Sequence, residues 1–282
     1  MNEPQPVISD ETSPDVLNCI EVFENSINDP SFSEFLKNTE AEKRKNFFYL
    51  LSTNSLDNLH DIDRGGLSRE EKKALENYRD SVSMFTESFK EVYHPEINWE
   101  DDGKWLNFYL NEFDSSDFNY RLYLNSKLEE TPKIFEQLVV KLKNAGLNCS
   151  IKIPSTSNLL DKQDMTRSDK ITIYFNYFDT KNTKNLWSIV EDMNIKNRES
   201  FNSETPLFAN RLSKLIGVAV AQDPGIKGES FNSIRAKIFN DMYSEWGESG
   251  YAKGFNYEDS FQRCCKKYNV DPQEPWHNIK RS

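Results

Sequence analysis

The sequence predicts an α+β fold: a central mixed β-sheet with crossover helices, preceded by an N-terminal helical region. Three observations carry this expectation. Between residues 119 and 177, three short segments alternate apolar and polar side chains, the period of a strand. A stripe of apolar residues at helical spacing, opened by Thr131-Pro132, separates the first two of them. Before Trp99, by contrast, the apolar positions recur at helical spacing.

Taken in order, residues 1–14 mix prolines and serines with acids and amides and are expected to be disordered. Val16, Leu17, Ile20 and Phe23 mark a helix. A second spans Phe32 to about Leu51, with Phe47, Phe48, Leu50 and Leu51 apolar. Asp61 to Gly66 breaks the pattern. Ser68 then caps a helix toward Lys90, with Glu70 and Glu71 in the first turn, where the helix dipole favours acids. His94-Pro95 ends it.

Trp105 to Phe113 is aromatic-rich and reads as helix or strand. Asn119 to Asn125 is a strand that sends Leu122 and Leu124 one way and Arg121, Tyr123 and Asn125 the other. Thr131-Pro132 is a cap followed by a proline suited to a first turn. Ile134, Phe135, Leu138, Val139 and Leu142 form the apolar stripe, and Gly146 closes the helix. Asn148 to Ile153 is a second strand, with Ile151 and Ile153 opposite Ser150 and Lys152. Strand, helix, strand makes a crossover, so the two strands are expected to be parallel or near neighbours. A polar loop runs from Pro154 to Ser168. A third strand, Lys170 to Tyr177, places Thr172, Tyr174 and Asn176 on one face. Asn182 to Asn197 reads as a second crossover helix, and Thr205-Pro206 opens a helix through Ile216, stopped by Gly217. Ser230 caps a last one ending near Gly247. Four segments follow: a tail (1–14), a helical region (15–95), an α+β domain (96–250) and a C-terminal extension (251–282).

The formal net charge is −11, which disfavours nucleic acid and anionic membranes as partners. Cys19, Cys149, Cys264 and Cys265 match no zinc spacing and read as reduced thiols of a cytosolic protein. No apolar run approaches the roughly 20 residues of a membrane helix. His60, His94 and His277 are isolated, so no metal is expected. Fingerprints for nucleophile elbows, phosphate-binding loops and dinucleotides are absent, and no cofactor is implied. Asp61 to Gly66 begins like a calcium loop but has Lys72 at its twelfth position, which excludes it.

The polar faces of the three strands offer Arg121, Tyr123, Asn125, Lys152, Tyr174 and Asn176, and the loop before the third adds Arg167 and Asp169. If the strands are adjacent, cations surrounded by hydroxyls would suit a phosphate or carboxylate. A lysine crowded by arginines would hold its proton less tightly and serve as a base. The alternative is an ordinary wet sheet face. The small, apolar run from Gly217 to Gly225 is either a buried element packed on the sheet or a close backbone approach to a site. Ser230 and Arg235 open a helix whose free N–H groups either are simply capped or bind an anion.

Arg-Leu-Tyr-Leu-Asn at 121–125, Ile-Lys-Ile at 151–153 and Arg167-Ser168-Asp169 leading into Ile173-Tyr174 resemble successive motifs of one family. Thr205-Pro206, Gly217-Val218-Ala219, Asp223-Pro224 and Ser230-Phe231 with Arg235 look like its last block. These are landmarks of the HopA-type effector family (Hrp outer protein A), and the resemblance covers roughly residues 90–245. It implies two things. Some members are type III effectors injected into plant cells. Others, in class V lanthipeptide and thioamitide biosynthesis, look like phosphoserine/phosphothreonine lyases partnered with a separate kinase. Carried onto this sequence, the resemblance implies phosphate binding and elimination by Arg121, Lys152, Arg167, Tyr174 and Arg235.

The chemistry fits those residue types. β-Elimination needs a base for the Cα proton and cations for the departing phosphate, and no metal or cofactor. Lys152 is assigned as base, and Arg121 and Arg167 as phosphate clamp. Tyr123 or Tyr174 acts as proton donor or orienting group, and Asp169 fixes an arginine. Asn125, Ser230 and Arg235 supply further anion contacts. The expected substrate is a phosphorylated peptide or protein. The competing class is a non-enzymatic effector that docks an acidic or phosphorylated segment. The expected location is the cytoplasm, or alternatively a host cell reached by type III secretion.

Overall fold

The computed structural model describes residues 14–53, 67–93, 97–111, 118–156, 166–224 and 229–279. The tail before residue 14, the Asp61–Gly66 break, His60 and the His94-Pro95 stop lie outside them.

Among the described residues three helices come first: α1 (Pro14–Asn28), α2 (Pro30–Asn38) and α3 (Ala41–Thr53). The single helix expected from Phe32 to Leu51 is therefore two. Asp29 caps α2 by accepting from the Ser31 N–H at 2.8 Å, with Pro30 in the first turn. Thr39, with φ −109° and ψ 143°, is extended and ends it. The long α4 (Arg69–Tyr93) begins at a reciprocal cap: the Glu71 carboxylate accepts from the Ser68 N–H, and the Ser68 hydroxyl accepts from the Glu71 N–H.

Among the described residues seven strands follow, β1 (Asn98–Asp101), β2 (Trp105–Leu110), β3 (Tyr120–Leu124), β4 (Cys149–Pro154), β5 (Ile171–Phe175), β6 (Asn210–Arg211) and β7 (Val218–Gln222). Between them run α5 (Thr131–Asn144) and α6 (Thr180–Lys196), and after them α7 (Phe231–Glu248) and α8 (Tyr257–Lys267). The sheet order is β1-β2-β4-β5-β3-β7-β6, and every adjacent pair is antiparallel. Both crossovers are split. β3 and β4 run the same way around α5, with β5 threaded between them; β5 and β7 run the same way around α6, with β3 between them. Parallel directions thus occur between second neighbours.

Residues 205–216 do not form the helix expected from Thr205-Pro206. One turn closes from the Ala209 N–H to the Pro206 carbonyl at 2.9 Å, Asn210 and Arg211 then pair with β7, and a second turn closes from the Leu215 N–H to the Leu212 carbonyl at 2.9 Å. The sheet edge claims their backbone, and Phe208 is drawn into a core. The run after Gly217 is the strand β7.

Both faces of the sheet are covered, so neither is the wet face that alternation alone allows. Leu122, Leu124, Ile151, Ile153, Ile171 and Ile173 pack with α4, α5 and α6 in one core. On the other side Tyr123, Ala219 and Ala221 join the apolar faces of α1, α2, α3, α7 and α8. The small side chains of Ala219 and Ala221 share this second core with the apolar face of α7. At the turn into β7, Gly217 sits at φ +62° with its Cα against the chain, and an added Cβ would fall 2.1 Å from the Asn202 carbonyl oxygen.

Candidate functional site: a cationic pocket between sheet and helix

The register of the central strands aligns the polar residues in two rows. One row is Asn107, Lys152, Thr172, Tyr123 and Ala219; the next is Tyr109, Ser150, Tyr174, Arg121 and Ala221. The inserted strand β5 brings Lys152 of β4 and Arg121 of β3 to either side of Tyr174. Where the rows pass under the first turn of α7, a pocket of about 230 Å³ remains. Among the described residues it is lined by Lys104, Arg121, Lys152 and Arg167 against one carboxylate, Asp169. Tyr49, Trp105, Tyr123, Thr172, Tyr174, Ser230, Asn232 and Ser233 complete the wall. A chain with 46 acidic residues against 35 basic ones has concentrated positive charge at this spot.

Each cation is held differently. The Arg121 guanidinium donates from Nε to Asp223 Oδ2 at 2.6 Å and lies 5.0 Å from the centre of the Tyr174 ring. Arg167 forms a two-pronged pair with Asp169, Nε to Oδ1 and Nη2 to Oδ2, both 2.8 Å. It also donates to the Tyr49 hydroxyl at 3.3 Å. Burial favours a protonated Asp169, but the Arg167 charge and its hydrogen bonds outweigh this and hold the carboxyl below its ordinary range. Asn232 of α7 adds a third donor to it at 3.1 Å. Lys152 is not paired with a carboxylate among the described residues. Its ammonium stands 4.1 Å from the Trp105 ring centre and 5.2 Å from that of Tyr174.

The two pocket tyrosines are driven apart. Burial holds the Tyr123 proton well above the ordinary phenol range, only partly opposed by Arg121. Its hydroxyl, on a residue 1% exposed, meets no partner at full hydrogen-bond geometry among the described residues, and the group nearest to serving it is the Arg121 guanidinium. For Tyr174, burial also raises the proton affinity, but the charges of Lys152 and Arg121 overcome it and the net shift is downward. Ser230 and Ser233 close a reciprocal cap at the start of α7, whose positive dipole end faces the pocket.

Of the residues the sequence singled out, Arg121, Tyr123, Lys152, Arg167, Asp169, Tyr174 and Ser230 meet in this pocket. Asn125 and Arg235 do not line it. Asn125 lies just past the end of β3 and is buried; it accepts from the Lys170 ammonium at 2.8 Å and donates to the Glu204 carbonyl at 3.0 Å. Arg235 folds back along α7 toward Phe231, four residues earlier, with its guanidinium 4.0 Å from the ring centre. It donates twice to the Pro275 carbonyl, at 3.1 and 2.7 Å. Asn176 instead accepts from Asn119 at 3.2 Å, beyond the pocket.

Several site residues escaped the sequence reading. Trp105 carried a signal, an aromatic at the start of an ambiguous segment. Tyr49 comes from α3, and nothing in a helical stripe says it will face a strand 70 or more residues away. Lys170 supports the site from behind, donating to the Arg167 carbonyl at 2.7 Å. Burial pulls its ammonium down to about 8, with Asp169 and Glu204 opposing.

An α+β chain with a buried-walled cationic pocket is thus the class that fold and site define. The model of the HopA1 effector protein family matches residues 110–276, and the chain belongs to that family. Two solved structures share the fold. One is the effector protein from Pseudomonas syringae pv. syringae strain 61, with TM-score 0.57 and 11% identity over 96% of this chain and 99% of that one. The other is the effector protein from Pseudomonas syringae pv. tomato strain DC3000, with TM-score 0.53 and 13% identity over 94% and 100%. At such identities the likeness is one of fold. No curated protein sequence matches the chain. No helix among the described residues is long and apolar enough to cross a membrane.

Proposed function

We propose that this HopA1-family protein is a phosphoserine/phosphothreonine lyase that removes phosphate from a peptide or protein by β-elimination. The observation that carries the reading is the convergence of Arg121, Lys152 and Arg167 on one pocket. Fork-shaped guanidinium donors and ammonium groups suit a phosphate. Held by Asp169 and Asp223, the arginines are oriented before any ligand arrives, so little ordering remains to oppose binding.

In the proposed reaction the phosphoryl oxygens bind Arg121, Arg167 and the start of α7. Lys152, as the free amine, takes the Cα proton. The electrons of that C–H bond become the second bond between Cα and Cβ. The Cβ–O bond breaks, and its electron pair leaves on the phosphate oxygen. Tyr123, whose buried hydroxyl keeps its proton beside Arg121, donates to that oxygen, so hydrogen phosphate departs. The proton held by Lys152 then returns the tyrosine to its neutral form. Tyr174, next to both Lys152 and Arg121, orients the two cations. The sequence assigned Asn125 and Arg235 to the phosphate; in this mechanism they act from outside the pocket.

The substrate must already be phosphorylated, so a protein kinase is the expected partner activity. The expected site of action is the cytoplasm, either of the producing cell or, for a type III effector, of its host. The test is a phosphothreonine peptide followed by mass spectrometry. Elimination yields a product lighter than the unphosphorylated peptide by one water. Recovery of the plain threonine peptide would mean hydrolysis and sink the mechanism. Tight binding with no change of mass would leave the docking protein as the reading.

A further inference from the structure

Arg235 poses a question that the pocket does not answer. It is fully buried, and no carboxylate pairs with it among the described residues. Burial pulls its proton affinity down to about 9, so it stays charged at neutral pH. An isolated buried cation is expensive to retain. What it holds is a single backbone oxygen, that of Pro275, with two donors.

Pro275 starts a short return of the chain along the end of β7. The Gln222 N–H donates to the Trp276 carbonyl at 2.8 Å. The Asn278 N–H donates to Gln222 Oε1 at 2.8 Å, and Asn278 Nδ2 to the Asp223 carbonyl at 2.8 Å. Asp223 in turn presents its carboxylate to Arg121.

We infer that the segment from Pro275 to Asn278 is a strap that sets the orientation of Arg121 in the pocket through Asp223, and that Arg235 is the buried anchor of that strap. Arg235 and Asn278 are then positioning residues. They touch neither the phosphate nor the reacting atoms. Asp223 follows directly on β7 and is held from two sides: its N–H donates to the Asn119 carbonyl at 2.8 Å, and its own carbonyl accepts from Asn278 of the strap at 2.8 Å, so the strap fixes one of the two backbone bonds that aim its carboxylate. The consequence for catalysis rests on the proposed lyase function; the mechanical link does not.

The experiment uses the full-length protein and two readouts. The first is the Nε–H signal of Arg121 in ¹H–¹⁵N spectra, assigned through its loss in Arg121→Lys. The second is affinity for a phosphothreonine peptide by calorimetry. Asn278→Ala removes one strap bond at a half-exposed position and tests the idea without burdening the core; Arg235→Lys tests the anchor. Both variants are expected to expose the Arg121 Nε–H to solvent exchange. Both should weaken peptide binding about tenfold, the scale of losing one hydrogen bond to a charged group. An Arg121 signal unchanged in Asn278→Ala overturns the inference; a changed signal with unaltered affinity supports the strap and removes its consequence for phosphopeptide binding. If the wild-type protein binds no phosphopeptide while the Arg121 signal still responds to both variants, the strap stands and the lyase reading fails.

Discussion

The ammonium of Lys152 stands 4.1 Å from the ring centre of Trp105, and among the described residues it makes no ion pair with a carboxylate. The arginines beside it are each tied to an aspartate, whereas Lys152 is held by the side chains of Trp105 and Tyr174, which leaves its nitrogen available to a ligand in the pocket. Replacement by alanine should lower turnover of a phosphothreonine peptide by at least about a hundredfold, within the usual range for a lost general base. Peptide affinity should change far less. Single-turnover mass measurements beside calorimetry separate the two, and unchanged turnover would remove Lys152 as the base.

Tyr123 allows a sharper separation of stability from chemistry. Its hydroxyl meets no partner at full hydrogen-bond geometry among the described residues, so Tyr123→Phe removes at most a weak contact to Arg121. Unfolding by urea should shift by no more than about 1 kcal/mol, toward greater stability if at all. Elimination should nonetheless slow, because the proton donor is gone. Equal rates in both proteins would reassign the donor.

Tyr174 is the pocket phenol whose proton is held less tightly than usual, because Lys152 and Arg121 outweigh burial. In an alkaline titration followed by phenolate absorbance, its step should come before those of Tyr109, Tyr120 and Tyr123, which are shifted upward. Tyr174→Phe should erase that step. Inorganic phosphate in the pocket adds negative charge and should move it to higher pH. A first step indifferent to phosphate would separate Tyr174 from the anion site.

The Arg167–Asp169 pair carries an acid-dependent share of stability. The carboxyl of Asp169 is held below its ordinary range, so its contribution is fully present above about pH 4, the unfolded value, and is lost as pH falls through the folded one. Asp169→Asn should remove that part of the acid transition. Asp169→Ala leaves a buried guanidinium without its partner and should cost about 3–5 kcal/mol in denaturant unfolding at neutral pH. A loss under 1 kcal/mol would show that the pair is solvated.

Gly217 tests the fold at a point away from the pocket. A left-handed backbone costs an ordinary residue about 1–2 kcal/mol, and a Cβ here would also strike the Asn202 carbonyl. Gly217→Ala should therefore destabilise by more than 2 kcal/mol by the same reasoning, read as a lower denaturation midpoint. A neutral substitution would mean that the turn relaxes at little cost.

What the amino-acid sequence determined alone was the set of local periods. Alternation at Asn119–Asn125 and Lys170–Tyr177 and the capped stripe from Thr131 are properties of neighbours in the chain, so the strands and crossover helices were legible. The polar faces were legible for the same reason. The split of one expected helix at Thr39 and the loss of another after Pro206 were not. After Pro206 a distant backbone partner, β7, takes Asn210 and Arg211, whereas at Thr39 the chain turns extended for one short step before α3 restarts at Ala41. Only the tertiary structure decided which polar residues share a pocket. Inserting β5 between β3 and β4 placed Arg121 and Lys152 beside Tyr174, and packing of the first turn of α7, through Ser230, Asn232 and Ser233, closed the space above them. The same packing turned Arg235 away from the pocket and toward Pro275, because a side chain's direction follows from where its helix docks, which no local pattern encodes.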